Sequence, residues 1–377
     1  MRETIFKPLL LPGLCLFVLT GCLDDDDGNG SGSKTGTLTS VGVENLSYET
    51  RSTSGTTGED GRFEYLPGET ISFSIGNLPI TSDVPTAPFL TSMDFTEEQR
   101  RELQQGGINE KGLQTHRVAE EALARSNRIA INTMRLIMIL GQDLQTSPTE
   151  TIQITDRTIE QLNSYLAKEE PEIDFSQPVA SFASPSAPEY DNEGNLIDPS
   201  PVNRMLDSIC FEPEGDELCD PPPSRDDIED TTDDEARQEL EQERQQILDA
   251  RRTLSEVSSN SVTDFLLTTT EEFRLDLEGP YFLAPETVTL SPDATDIQKI
   301  RIRRIGSQGA NLQANALDAR ALDDGLTIHS ANWQTGEVEF FQNNSGTEET
   351  TILINFKVET PDFENYRWFT KTVKVFH

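Results

Sequence analysis

The sequence predicts an α+β chain of several domains, with a small N-terminal β-module, a helical middle region and a C-terminal β-sandwich. Three patterns predict it. Alternating apolar residues recur near residues 41–75 and again from about 300 to the end. Apolar positions three and four apart run through residues 119–166 and 236–257. Between these helical stretches lies a proline-rich acidic stretch that lacks either period. The expected organisation is a leader at 1–21, a flexible acidic Gly/Ser tether at 22–36, the β-module at 37–80, helices at 81–168, a partly disordered segment at 169–231, an amphipathic helix at 232–258 and the sandwich at 259–377.

The leader carries basic Arg2 and Lys7, an apolar run from Leu9 to Leu19, and then Leu19-Thr20-Gly21-Cys22 before Asp24 to Asp27. About eleven apolar residues are too few for a bilayer-spanning helix, which needs roughly twenty. Leu19 to Cys22 resembles the lipobox of bacterial lipoproteins. That resemblance implies cleavage between Gly21 and Cys22, lipidation of Cys22 and attachment to a membrane by acyl chains. By the sorting pattern of enterobacterial lipoproteins, Leu23 after the cysteine implies the outer membrane. Residues 23–36, rich in Asp, Gly and Ser, then read as a tether.

The 377 residues carry 30 basic and 67 acidic side chains, a formal charge of −37. A surface this negative repels phosphate, so nucleic acid is excluded as a partner and adsorption on anionic lipid is disfavoured. Four cysteines divide by position. Cys15 leaves with the leader, Cys22 is the lipid acceptor, and Cys210 and Cys219 remain as a pair in an exported, oxidising compartment. A disulfide is expected there rather than a metal site, because His116, His329 and His377 stand far from both thiols in sequence.

In the first module Val41 and Val43, Phe63 and Tyr65, and Ile71, Phe73 and Ile75 alternate, with turns at Glu59-Asp60-Gly61 and Pro67-Gly68. The spacing of Gly55, Gly61, Phe63, Tyr65, Gly68 and Phe73 resembles transthyretin-like or carboxypeptidase-regulatory-like β-modules. Such modules serve mostly as spacers and binding units. Thr96 and Gln99 form a capping box for a short helix ending at Gly106-Gly107, and a longer helix is expected from Thr115 to Leu140. A further helix carries Ile159, Leu162 and Leu166 on one face. The run from Arg128 to Thr155 is similar to a segment of proteobacterial envelope lipoproteins that carry this β-module, where the intervening loop often resembles a calcium loop. Here Gly141 to Ser147 keeps only the carboxylate of Asp143, short of the six or more oxygens that calcium takes, so no cofactor is assigned and calcium stays a possibility inherited from the resemblance.

Residues 168–231 hold many prolines and acids and read as extended and partly disordered, with Asp191-Asn192-Glu193-Gly194-Asn195 as a turn and the Cys210–Cys219 loop as a staple. Thr232 and Glu235 open a helix to about Val257 in which Leu240, Ile247 and Leu254 form a seam broken by Glu243, expected to pack on its own chain. From Asn260 onward the pattern reads as β, with Ile300/Ile302, Val338/Phe340, Ile352/Ile354/Phe356/Val358 and Val373/Val375 alternating. The turns at Asp323 to Gly325, Thr335-Gly336 and Asn343 to Gly346 suit a sandwich, and the segment from Asp324 to Val338 resembles the turns of bacterial Ig-like and cadherin-like domains.

No catalytic constellation stands out: zinc, serine-nucleophile, phosphate-loop and dinucleotide signatures are absent, and acids are too many to pick a pair. Phe340 and Phe341 cannot both face one side of a strand. Trp333, Phe341 and Trp368 are therefore candidate contacts for a glycan, peptide or envelope partner, with packing against the preceding long helix as the competing reading. His329 reads as a structural or surface histidine. The expectation is a non-enzymatic, outer-membrane-anchored lipoprotein with a binding, adhesion or accessory role; the alternative is an envelope glycan hydrolase using paired carboxylates.

Overall fold

Residues 32–144, 150–291, 294–307, 309, 312–343, 349–358 and 367–376 are described by a computed structural model. The leader, Gly21, Cys22, the tether up to residue 31, Tyr366 and His377 lie outside the described residues.

The β-module alternates as its sequence dictates. Strands β1 (Lys34–Leu38), β2 (Val43–Glu44), β3 (Ser47–Thr50), β4 (Ser54–Thr56), β5 (Arg62–Tyr65), β6 (Thr70–Ile75), β7 (Leu78–Pro85) and β8 (Phe89–Leu90) follow in order. They form a β4-β3-β6-β7 sheet and a β5-β1-β8 sheet, with β2 paired to a later strand. Phe63, Tyr65, Ile71, Phe73 and Ile75 all point into one core. Gly61 turns at φ +64°, and a Cβ there would lie 2.4 Å from Gly42 Cα, so only glycine lets the two backbones meet. Both expected boundaries move. Lys34, Thr35 and Gly36, assigned to the tether, pair with Tyr65, Glu64 and Phe63, and β8 extends the module past residue 80 by pairing in parallel with β1. Pairing satisfies backbone groups whatever the side chains, which is why a polar stretch can be a strand.

Helix α1 (Glu97–Gln105) starts at a complete Thr96–Gln99 capping box. A hairpin follows, β9 (Gly107–Ile108) with β10 (Gln114–Thr115). The expected single helix from Thr115 to Leu140 is two, α2 (Arg117–Ser126) and α3 (Arg128–Leu140). Asn127 breaks it: its side chain accepts from Ala130 N–H at 3.0 Å and from Gln99 Nε2 at 2.8 Å, starting a new helix in a new direction. Residues Ala130 to Leu140 are all buried. Strand β11 (Ile152–Gln153) pairs with β2, and Thr155 caps α4 (Asp156–Glu169).

The expectation of an extended, partly disordered segment at 169–231 is overturned. It contains α5 (Val179–Phe182), α6 (Pro201–Asp207) and α7 (Arg225–Asp230), and it places Phe182, Val202, Met205, Leu206 and Ile209 in the same core as the β-module. Side chains from α3 and from the segment itself bind its carbonyls. Asn132 of α3 donates to Phe175 O and Gln177 O at 2.9 and 3.0 Å, and Asn203 donates to Ser184 O at 2.8 Å. Composition fails here because the segment borrows burial from helices it cannot build alone.

Helix α8 (Asp234–Asp249) is capped by Asp233 rather than Thr232 and stops at Asp249; the remaining seam residue Leu254 sits in a short 3-10 turn. Ile247, Leu254 and Val257 are buried within their own chain. The next segment corrects the β expectation after Asn260: Ser259–Glu278 is a helix, α9, capped by Ser258. Val262, Phe265, Leu266, Thr269 and Thr270 fall at helical spacing on its buried face, so tertiary packing overrides the strand preference of its threonines. Thr263 and Thr270 hydroxyls bond back to the carbonyls four residues earlier.

Strands β12 (Tyr281–Ala284), β13 (Thr287–Thr289), β14 (Gln298–Arg304), β15 (Leu312–Ala321), β16 (Leu326–Asn332), β17 (Glu337–Gln342), β18 (Glu349–Val358) and β19 (Arg367–Phe376) complete the chain. They form two four-stranded sheets, β12-β14-β17-β16 and β13-β19-β18-β15, whose inward residues share a second core of Ile300, Ile302, Val338, Phe340, Ile354 and Phe356, among others. The fold is mixed α+β. Two side-chain bonds join the second core to the first region: Asn355 Nδ2 to Gln114 O at 3.0 Å, and Trp368 N–H to His116 Nδ1 at 2.9 Å.

Candidate functional site

The segment expected to be disordered helps to build a cleft. It is an open hollow of about 590 Å³ between the Pro188–Ile197 turn, α7, α8 and the residues after α8. Asp191 holds the turn through its carboxylate, which accepts from Asn195 N–H at 2.8 Å, so this stretch is a turn, as its sequence predicts. The tyrosine before it and Leu196 after it form a β-bridge.

Arg225, Arg244 and Arg251 line the cleft, and the last two organise it. Arg244, on the buried face of α8, donates to Asp191 O at 2.6 Å, Pro223 O at 2.7 Å and Asn192 O at 3.1 Å. Its guanidinium thus ties α8 to the start of the turn and to the residue before the α7 cap, and burial followed by repulsion from Arg225 pulls its pKa down. Arg251 donates to Asp207 Oδ1 at 3.0 Å and Gly194 O at 2.6 Å and sits 5.9 Å from the centre of the Tyr190 ring. Burial pushes Asp207 up against the opposing pull of Arg251, and burial next to Asp207 pushes Tyr190 up. Ile197, 41% exposed, and Leu248 give the cleft an apolar wall, while Glu189, Asp249 and Glu256 bring carboxylates to its lining. Titratable groups displaced by burial and converging on one cavity of ligand size are a common mark of a binding site.

The aromatic candidates are not brought together. Trp333 is half-buried in the turn between β16 and β17, Phe341 is half-buried near the far end of that hairpin, paired with Thr327, and Trp368 is half-buried on β19 of the other sheet. Phe340 is fully buried, so the two neighbouring phenylalanines do face opposite sides. His329 is exposed, with its ring centre 6.4 Å from that of Phe341. Cys210 and Cys219 form a disulfide with Cα atoms 5.5 Å apart.

Among the described residues no group of three or more His, Cys, Asp or Glu side chains is placed to hold a metal ion, and no helix is long and apolar enough to cross a membrane. Asp143, Glu59 and Glu150 line a small recess of about 180 Å³ with Gln142, Thr151 and Gln153, beside the loop whose residues 145–149 lie outside the described part.

The cleft is not legible in the sequence because Tyr190, Arg244 and Arg251 are scattered through sequence that carries no motif. One signal was present. Arg244 stands three and four positions before Ile247 and Leu248, on the apolar stripe of an amphipathic helix, where an arginine needs partners. Compared with known proteins, the chain matches no family model, no curated protein and no solved structure.

Proposed function

We propose that the chain is a non-enzymatic lipoprotein of the outer membrane, anchored by lipid on Cys22, that binds an envelope component in the cleft of Tyr190, Arg244 and Arg251. The observation that carries the binding role is the cleft itself, an apolar wall and an aromatic ring facing fixed guanidiniums in a cavity of about 590 Å³. The anchor rests on the leader ending in Leu19-Thr20-Gly21-Cys22. We read the C-terminal pair of sheets as an immunoglobulin-like sandwich; the strand order supports this, since β12-β14-β17-β16 follows the A-B-E-D order and β18 pairs with both β15 and β19 as F does with C and G. Such a sandwich serves as a rigid extension or a second contact surface, with Trp333, Phe341 and Trp368 as its candidate contacts for an envelope protein or glycan.

Crosslinking in detergent-solubilised envelopes tests the reading. The wild-type chain is expected to capture a partner that is lost when Tyr190→Ala and Arg225→Glu are combined, while Cys22→Ser releases the protein from the membrane fraction. Equal capture by the cleft variant rejects the site, and retention of Cys22→Ser on the membrane rejects the anchor.

A glycan hydrolase is the second reading, favoured by Glu189, Asp249 and Glu256 lining the same cleft as Tyr190. Release of new reducing ends from peptidoglycan fragments, abolished by Asp249→Asn or Glu256→Gln, establishes it; no release by the wild-type chain eliminates it.

A further inference from the structure

The two sulfurs of the Cys210–Cys219 bridge sit in unlike surroundings, and the difference has a chemical direction. Arg157, in the first turn of α4, places Nη2 3.3 Å from Cys219 Sγ and donates through its other terminal nitrogen to Glu212 O. One turn further along the same face, Gln161 Oε1 accepts from Cys210 N–H at 2.7 Å. One half of the bridge is thus held through its sulfur by a fixed cation, and the other through its backbone. Both cysteines are half-buried.

We propose that this bridge is a directional thiol-exchange site, in which a dithiol reductant of the cell envelope attacks Cys210 Sγ and Cys219 leaves as a thiolate held by Arg157. In the first step the reductant's thiolate bonds to Cys210 Sγ, and the electron pair of the broken S–S bond goes to Cys219 Sγ. In the second, the reductant's other thiol, after losing its proton, attacks its own sulfur in the mixed disulfide; Cys210 leaves and takes up a proton. The reductant ends as a disulfide and this chain gains two electrons. A guanidinium beside a sulfur stabilises the thiolate, and a more stable thiolate is the better leaving group, so attack is steered to the opposite sulfur.

The loop also connects to the rest of the molecule. Phe211 lies under Arg252, 4.2 Å from ring centre to guanidinium. Arg252 in turn donates to Gly141 O at 2.5 Å, Gln142 O at 2.6 Å and Ile139 O at 3.2 Å, closing the C-terminal end of α3. Its neighbour Arg251 faces Asp207 and the cleft. The bridge thus stands one residue from the ring that supports Arg252 at the α3 terminus.

The test uses the whole mature protein and glutathione as a one-thiol probe, with acid quenching and mass mapping of the mixed disulfide. Glutathione is expected on Cys210 in excess of Cys219. Arg157→Gln is expected to erase that preference and slow reduction about fivefold, whereas Arg157→Lys retains both. A purely structural Arg157 gives the opposite sign, since a loosened loop is reduced faster. Glutathione divided equally between the sulfurs in the wild-type protein, or a preference unchanged in Arg157→Gln, overturns the proposal. Neither outcome depends on what the cleft binds.

Discussion

The stretch from Pro171 to Val257 and the two sheets from Tyr281 to Phe376 belong to one acidic chain but are ordered by different means. In the sheets, alternation supplies the core, and charges meet on the outer face as ion pairs: Lys299 lies 2.8 Å from Glu339, and Arg301 bonds Glu337. In and against the earlier stretch, several guanidiniums bind carbonyls instead. Arg135 reaches Val257 O at 2.7 Å and Leu254 O from the middle of α3, and Arg244 and Arg252 each bond three carbonyls. Irregular backbone leaves its carbonyls without ladder partners, and a guanidinium, with five donors and no acceptor, satisfies several at once. Surface pairs contribute little, whereas buried donors leave costly gaps when removed.

The largest expected effect sharpens this from the sheet side. Phe356, fully buried between Tyr281 and Phe369 with ring centres 5.6 and 5.8 Å away, should lose about 3–5 kcal/mol on Phe356→Ala, read by denaturant unfolding. Next comes Arg135→Met, which keeps the stem and removes the donors. Val257 O left without this donor, and Leu254 O left with only the Val257 N–H, should cost about 2 kcal/mol, while Lys299→Ala on the sheet surface should cost at most about 0.5 kcal/mol. Equal costs for these two substitutions break the comparison.

A smaller effect separates the regions by pH. Burial raises the folded-state pKa of Asp207 above its ordinary 3.8, so the folded state binds this proton more tightly and its contribution to stability grows as pH falls through that window. Arg301 lowers Glu337 below its ordinary 4.5, so that contribution is present above 4.5 and is lost as pH falls through the lowered value. The melting temperature of the wild-type protein minus that of Asp207→Asn should therefore rise on acidification from pH 6 to about 4, and that for Glu337→Gln should shrink on further acidification. The same slope for both would show that Asp207 is not held as its surroundings require.

These residues also show what could be read from sequence. The strands that carry Phe63, Ile71 and Phe73 and those that carry Ile300, Val338, Ile352 and Val373, the Thr96–Gln99 cap, the cysteine pair and the opposed faces of Phe340 and Phe341 follow from local period and turn chemistry, whereas β1 and β8 do not. The helix at Ser259–Glu278 was hidden by threonines that favour strands in isolation, and the break at Asn127 by a helical period that continues across it. The order of the proline-rich stretch was hidden more deeply. Arg244 meets carbonyls 21 to 53 positions away, and Arg135 meets carbonyls 119 and 122 positions away, so local sequence names the donor and not the acceptor. The cleft inherits that illegibility, since the same contacts build it.

Hydrogen exchange in wild-type and Arg244→Met protein tests most directly whether guanidinium-to-carbonyl bonds hold this stretch in place. The expected result is about tenfold or greater loss of protection, equivalent to about 1.4 kcal/mol, confined to amides of the 190–197 turn and the start of α7, with β14 to β19 unchanged. Unchanged protection in the turn, or an equal loss in the sheets, would contradict the account.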